Sequence, residues 1–362
     1  MRVTVGMSGG VDSAVAAWLL KEQGYDVTGV FMVNWEEEDE EGVCTAADDF
    51  DDARRCCDVI GIPYYTVNFS RAYRERVFSV FLKEYEAGRT PNPDVLCNSE
   101  IKFNAFLDFA LKTESEYLAT GHYARLRKED GQATLLRGRD DNKDQTYFLC
   151  ALHQPQLMRA LFPIGEMQKS EVRALAQKIG LPNAQKKDST GICFIGERKF
   201  AQFISQYIPS EPGPMVDINT GLVLAQHEGL SRYTIGQRKG IGIGGMGSGE
   251  PWFVAEKDAK SNTLYICQGK NHPCLYKKGL YAVNFSWIAG RAPAERFDCT
   301  VKFRYRQKDV DCHVEVEEEG VRVHFDAPQR AVTPGQYAVL YQGEVCLGGG
   351  VIERALGPAE SV

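Results

Sequence analysis

The stretch GMSGGVDSAV, Gly6 to Val15, decides how the chain is read. Arg2 to Met7 before it reads as a buried strand, and Val11 to Gln23 after it has the apolar spacing of an amphipathic helix closed by Gly24. Strand, glycine-rich turn and helix in that order bring a row of backbone N–H groups and the positive end of a helix to face an anion. Gly9 and Gly10 allow the backbone to approach closely, and Ser8 and Ser13 add hydroxyl donors. The loop lacks the lysine that a GxxxxGK[ST] loop directs at a terminal phosphate, so it suits gripping pyrophosphate as a leaving group better than assisting γ-phosphoryl transfer. Taken alone, the same residues also make an ordinary βα turn capped by Asp12 or Ser13.

Outward from this unit, strand and helix patterns alternate. Tyr25 to Asn34 is a second strand, Thr45 to Ile60 a helix with Thr45 and Asp48 as a capping pair, Pro63 to Phe69 a strand, and Ser70 to Ala87 a long helix ending at Gly88. Phe103 to Lys112 and Tyr117 to Ala124 add another helix and strand, and the alternation implies an α/β fold with a parallel sheet. Between them GRTPNPDVLCNSEIKF, Gly88 to Phe103, reads as an irregular loop. Ligands gather outside the carboxyl ends of parallel strands, so this loop and Gly6 to Ser13 are expected to face one crevice. After Tyr207 comes a proline-rich connector, Ile208 to Met215. Short β runs follow (GLVLAQ, YTIGQ, WFVAEKD, TLYICQG), with a boundary near Lys277 and Lys278 and then strands that read as a compact β-barrel. The expected domains are 1–208, 209–277 and 278–362.

With 362 residues, two or three domains are the prior. No apolar run approaches the ~20 residues of a membrane span and no signal-peptide h-region is seen, so the expected location is the cytoplasm, with no membrane partner. There the eleven cysteines should be thiols, and none forms a CxxC pair. The net charge of −7 is local: residues 36–52 hold ten acids and no base, and setting them aside leaves 39 acids against 42 bases. A nucleic-acid partner is thus permitted, although composition does not demand one.

SGGVDS after an N-terminal strand resembles the signature of the PP-loop ATP pyrophosphatases, which adenylate an oxygen before a nucleophile displaces AMP. PNPDVLCN (Pro91 to Asn98), ATGHYAR (Ala119 to Arg125), KDQTYFL (Lys143 to Leu149), DSTGICFIGERKF (Asp188 to Phe200) and YTIGQRKGIG (Tyr233 to Gly242) are similar to the tRNA-specific 2-thiouridylases, in order and over nearly the whole chain. The resemblance implies a PP-loop domain, a small β-rich central domain and a C-terminal barrel that contacts tRNA. It implies ATP as substrate and wobble-uridine thiolation that releases AMP and pyrophosphate; Mg2+ is expected because ATP usually arrives with it, although no dedicated carboxylate cage is visible in the sequence. The partners it implies are tRNA and a sulfur carrier or cysteine desulfurase.

Replacing a carbonyl oxygen by sulfur needs a good leaving group, a tethered sulfur nucleophile and a sink for the leftover oxidation state. Cys97 and Cys193 stand in Gly/Pro-containing loops, where exposed thiols near electropositive groups are the reactive kind, although any single cysteine is as well a buried apolar residue. By the resemblance, Cys193 carries a persulfide, Cys97 is the catalytic nucleophile, a Cys97–Cys193 disulfide remains afterwards, and Asp94 is general acid/base. Gly6, Met7, Ser8, Gly9, Gly10, Val11, Asp12, Ser13, Met32 and Gly121 would hold ATP. Asn92, Pro93, Asp94, His122, Lys143, Asp144 and Gln145 would meet the RNA, with Arg304 and Tyr305, which alternate on a predicted strand, and Gln336. Two alternatives stay open at this level: a PP-loop synthetase acting on a small molecule, and a non-catalytic RNA-binding protein.

Overall fold

The computed structural model describes residues 1–36, 45–188, 200–244 and 247–357. The N-terminal sheet is built from β1 (Arg2–Met7), β2 (Asp26–Val33), β3 (Tyr64–Asn68) and β4 (Tyr117–Ala119), and, beyond a hairpin of β5 (Ala124–Glu129) and β6 (Gln132–Arg137), from the short β7 (Ala160–Leu161). These five strands are parallel in the order β3-β2-β1-β4-β7. The chain direction across the sheet reverses between β1 and β4, which opens a crevice at their carboxyl ends. Helix α1 (Val11–Glu22) covers one face, burying Val11, Ala14, Val15, Ala17 and Leu20 against the sheet, and α2 (Thr45–Ile60) packs beside it. Gly29 is required by this packing, since a β-carbon there would come 2.8 Å from Cys57 Sγ.

The stretch read as a loop from Gly88 to Phe103 is mostly helix. Asn92 caps a helical turn at Pro93–Leu96 by accepting from the Asp94 amide (3.2 Å), and the chain continues through a π-helical Cys97–Ala105 into Phe106–Lys112. Proline at the first helical position costs nothing, because that N–H has no intrahelical partner, and asparagine is among the best N-caps. Residues that look like breakers therefore start the helix, and only 88–92 is irregular.

The middle domain is a four-stranded sheet, β10-β11-β8-β9, of β8 (Gly213–Asp217), β9 (Val223–His227), β10 (Trp252–Asp258) and β11 (Thr263–Gln268). β8 begins inside the expected connector, whereas Tyr233 to Gln237 is a turn rather than a strand. The C-terminal barrel comprises β12 (Tyr276–Trp287), β13 (Arg296–Lys302), β14 (Val310–Val316), β15 (Gly320–Arg330), β16 (Tyr337–Gln342) and β17 (Val345–Leu356), closed by pairing of β12 with β17. Its core holds Leu280, Val301, Phe303, Val314, Val323, Leu340 and Ile352.

The β5–β6 hairpin, contributed by the N-terminal half of the chain, continues the barrel sheet beyond β17. Arg137 stacks on Tyr341 with 3.7 Å from guanidinium carbon to ring centre and also bonds Asp309, and Tyr147 Oη donates to the Tyr337 carbonyl. The barrel is thus docked on the nucleotide-type domain through buried aromatic contacts. No helix among the described residues is long and apolar enough to cross a membrane.

Candidate active site

The loop after β1 is shaped by close backbone contacts. Gly9 has φ +72°, and a β-carbon there would lie 2.4 Å from the Asp49 carbonyl oxygen. Ser13 Oγ accepts from the Ser8 amide (3.2 Å) and donates to the Gly10 carbonyl (3.1 Å), so the two serines fold the loop onto the first turn of α1. Gly10 sits at the N-cap and brings no side chain to the first N–H groups of the helix. These point at the crevice with the positive end of a twelve-residue helix behind them, an arrangement suited to phosphate. Met32 on β2 reaches to 3.8 Å of the β-carbon position of Gly6, lining the same end of the sheet.

The Asp12 carboxylate accepts from Tyr123 Oη (2.7 Å) and from Lys169 Nζ (2.7 and 2.8 Å). Lys169 also reaches Asp188 (2.8 Å), which Lys143 (2.6 Å) and Arg173 (2.9 Å) hold from other sides. Burial opposes ionisation of Asp188, but the hydrogen bonds from Lys143 and Lys169 outweigh it and hold the carboxyl at about 2. This clamp fixes the chain where the motif carrying Cys193 begins; Cys193 itself lies outside the described residues. Lys169, Arg173 and Asn183, whose Nδ2 donates to the Gly9 carbonyl (2.9 Å), have no signal in the motifs. With Asp12 engaged by Lys169 and Tyr123, the loop offers no carboxylate set for a resident Mg2+.

Gly121 presses on the start of α1, since its β-carbon would lie 2.6 Å from the Ser13 amide nitrogen. The next residue, His122, is 8% exposed, holds Thr120 Oγ1 at 2.7 Å, and packs against Phe103 and Phe162. Burial, with help from the Lys102 cation, pushes its imidazole well below the ordinary histidine range, so it is neutral. Lys102 also faces Asp94, where burial raises the carboxyl and Lys102 opposes that rise. One lysine unmarked by the motif reading thus acts electrostatically on both His122 and Asp94.

Cys97 is not an exposed loop thiol. It lies in the helix, 3% exposed, in an apolar cluster with Trp35, Tyr73, Phe78, Phe81, Ile101 and Phe203. Asn98 beside it donates to the Phe148 carbonyl (3.1 Å), but its Oδ1 is buried without a hydrogen-bond partner among the described residues. Such an orphaned acceptor is costly unless a donor arrives from a ligand.

The residues assigned to RNA hold the fold together as well. Asp144 is buried, accepting from the amides of Gly138 and Thr146, and Gln145 Oε1 accepts from the Tyr123 amide. Arg304 to Arg306 lie in the turn after β13, not on a strand. Arg304 Nη2 donates to Thr333 Oγ1 (2.9 Å) and the carbonyls of Ala331 (3.1 Å) and Ile235 (3.2 Å), tying barrel to middle domain. The Tyr305 ring packs on Phe148 at 4.4 Å between centres. Gln336 Nε2 donates to the carbonyls of Thr90 (2.8 Å) and Pro91 (3.2 Å), so a barrel residue supports the turn that carries Asp94.

Family models match in three consecutive blocks: a tRNA methyl transferase HUP domain over residues 1–197, a tRNA methyl transferase PRC-barrel domain over 201–268, and an aminomethyltransferase beta-barrel domain over 277–352. The chain is 58% identical to a tRNA-specific 2-thiouridylase of Alkaliphilus oremlandii, covering 98% of both chains. It is 57% identical to one of Halalkalibacterium halodurans, covering 98% of this chain and 95% of that one. Among solved structures, a 4-thiouridine synthetase in complex with RNA and ATP is similar at 15% identity over 57% of this chain and 50% of that one, with a TM-score of 0.34, too partial an overlap to carry an argument. The model descriptions speak of methyl transfer, while the relatives matching along their whole length are named for thiolation. The chain belongs to the tRNA-specific 2-thiouridylase family.

Proposed function

We propose that the protein converts the wobble uridine of tRNA to 2-thiouridine at the expense of ATP, in the cytoplasm. The observation that carries this reading is the glycine- and serine-rich loop at the bare N-terminus of α1, seated against Gly121, in a chain that belongs to the tRNA-specific 2-thiouridylase family.

The serine–glycine loop and the bare N-terminus of α1 hold the phosphates of ATP, with Met32 and Gly121 bordering the adenosine. Attack of the uracil C2 oxygen on the α-phosphorus expels pyrophosphate, and the loop N–H groups stabilise the charge that develops on it. Asp94, whose carboxyl burial raises, exchanges the proton at the base ring, and Asn98 Oδ1 offers an acceptor to a ring N–H. Asn92, Pro93, His122, Lys143, Asp144, Gln145, Arg304, Tyr305 and Gln336 form the tRNA-facing rim, some by direct contact and some by holding the backbone that makes it.

A sulfur carrier or cysteine desulfurase loads Cys193 as a persulfide. Its terminal sulfur bonds to C2, the C2–O bond breaks, and AMP leaves with the former carbonyl oxygen. Cys97 thiolate attacks Cys193 Sγ and breaks the S–S bond. The transferred sulfur is thereby reduced to the thiocarbonyl level, and the two cysteines are oxidised to a disulfide that an external dithiol reduces. Because Cys97 is packed among aromatic rings, this step requires the cluster around it to open.

Incubation with ATP, a persulfide donor and unmodified tRNA, followed by nucleoside mass spectrometry, tests the reading. Wild type should form 2-thiouridine and one AMP per turnover, and Cys97→Ser and Cys193→Ser should form none. Thionucleoside from either variant at the wild-type rate would remove that cysteine from the mechanism.

A further inference from the structure

Far from the crevice, Cys267, His272 and Cys274 bring one ligand atom each to within 4.8 Å of one another. Cys267 closes β11 and is fully buried, while His272 and Cys274 are half-buried in the connector that leads to β12. The connector lies between the segments matched by the middle-domain and barrel models.

The geometry around His272 is specific. The Cys274 amide donates to His272 Nδ1 (3.3 Å), which leaves Nδ1 with its lone pair and puts the ring proton on Nε2. Both ends of the Asn219 side-chain amide lie against Nε2, Nδ2 at 3.0 Å and Oδ1 at 3.1 Å; with the ring proton on Nε2 it is Oδ1 that accepts, and Asp217 in turn accepts from the Asn219 amide and from Thr220 Oγ1. Cys274 Sγ lies 2.9 Å from the same Nδ1. An imidazole whose far N–H is fixed by an oxygen acceptor is the usual outer support of a metal-ligating histidine. Close to Cys267 stands Arg330, buried against Phe253, with Nε and Nη2 lacking hydrogen-bond partners among the described residues.

We propose that Cys267, His272 and Cys274 form a binding site for a zinc-class divalent ion, which pins the connector between the middle domain and the barrel. Two thiolates and an imidazole are soft to borderline donors that select Zn2+ over Mg2+ or Ca2+. Tetrahedral bonds of about 2.3 Å to sulfur and about 2.0 Å to nitrogen separate the ligand atoms by about 3.6–3.8 Å, so the cluster needs side-chain shifts of about 1 Å or less. The exposed side of His272 and Cys274 leaves the fourth position to water and gives the ion its way in. Binding displaces the thiol protons of Cys267 and Cys274 and the Cys274 amide hydrogen bond to Nδ1.

The experiment uses the full chain, reduced, tag-free and stripped with chelator, then titrated with Zn2+ and in parallel with Co2+. Wild type and the Cys97→Ser/Cys193→Ser variant should each retain one zinc per chain after gel filtration, give a thiolate-to-cobalt charge-transfer band, and melt at higher temperature with metal. His272→Gln and Cys274→Ser should lose the stoichiometric ion and the band, and Asn219→Ala should bind about 10–100-fold more weakly. Should Cys274→Ser not fold, His272→Gln and Asn219→Ala at the partly exposed edge carry the test. Absence of a bound ion in reduced wild type, retention of it by His272→Gln, or its loss only with Cys97 and Cys193 would overturn the proposal.

Discussion

Gly121 has no room for a side chain because its α-carbon faces the backbone of Ser13, with only 2.6 Å between the missing β-carbon and the Ser13 amide nitrogen. The obstacle is main chain and cannot rotate away, so Gly121→Ala must displace either the β4 loop or the first turn of α1. The expected cost is about 1–3 kcal/mol of stability. A disproportionate rise in the KM for ATP should accompany it. Calorimetry of ATP binding beside thermal melting checks both, and unchanged ATP affinity would separate Gly121 from the nucleotide.

Lys169 is 12% exposed and bridges Asp12 and Asp188, whose side chains are 30% and 31% exposed. Lys169→Met should destabilise by about 1–3 kcal/mol, below the 3–5 typical of a fully buried pair because water reaches both carboxylates. The folded value of Asp188 is depressed from 3.8 to about 2. Its contribution is therefore complete above pH 3.8 and lost as pH falls through about 2. Wild type should lose this increment between those values while Asp188→Asn shows no such step in chemical denaturation.

Asp94 works in the opposite sense. Burial raises its carboxyl and Lys102 resists, so the folded value lies above the unfolded one; its favourable contribution is present below the unfolded value and disappears as pH rises through the folded one. Lys102→Met should raise Asp94 further, moving the Asp94 limb of the pH–activity profile to higher pH, and Asp94→Asn should abolish that limb. A limb that stays in place with Lys102→Met would assign it to another group.

Asn92 caps the helix that carries Asp94 and Cys97. Asn92→Ala should cost about 1 kcal/mol in melting experiments. Asn92→Asp should restore stability, since aspartate caps equally well, while its charge raises Asp94 and shifts the pH profile upward.

Gln336 distinguishes support from contact. If it acts by holding Thr90 and Pro91, Gln336→Leu lowers kcat and costs about 1 kcal/mol, with the KM for tRNA unchanged. A rise in that KM alone would make it an RNA ligand instead.

The first strand, its loop, α1 and the parallel order that follows were legible because apolar period and glycine placement act over short spans. The helix from Pro93 was misread since Asn92, Pro93 and Asp94 are as good at starting a helix as at ending one, and the π-helical Cys97–Ala105 has no sequence sign. The burial of Cys97 could not be seen locally, as its cluster draws on Trp35, Phe78 and Phe203 from separate segments. Lys102, Lys169 and Asn183 were missed for the same reason: each works through a partner distant in sequence. Arg304 was placed on a strand because alternating charge resembles an exposed β-edge, whereas β13 ends at Lys302.

The β5–β6 hairpin extends the barrel beyond β17, joining Arg125 to Glu344 across 219 positions of sequence. During synthesis at the ribosome, residues 124–137 therefore emerge long before the strand that receives them. The nucleotide-type domain must wait with an open sheet edge until nearly the whole chain has been made, which leaves this protein dependent on late assembly and exposed to edge-to-edge association in truncated products.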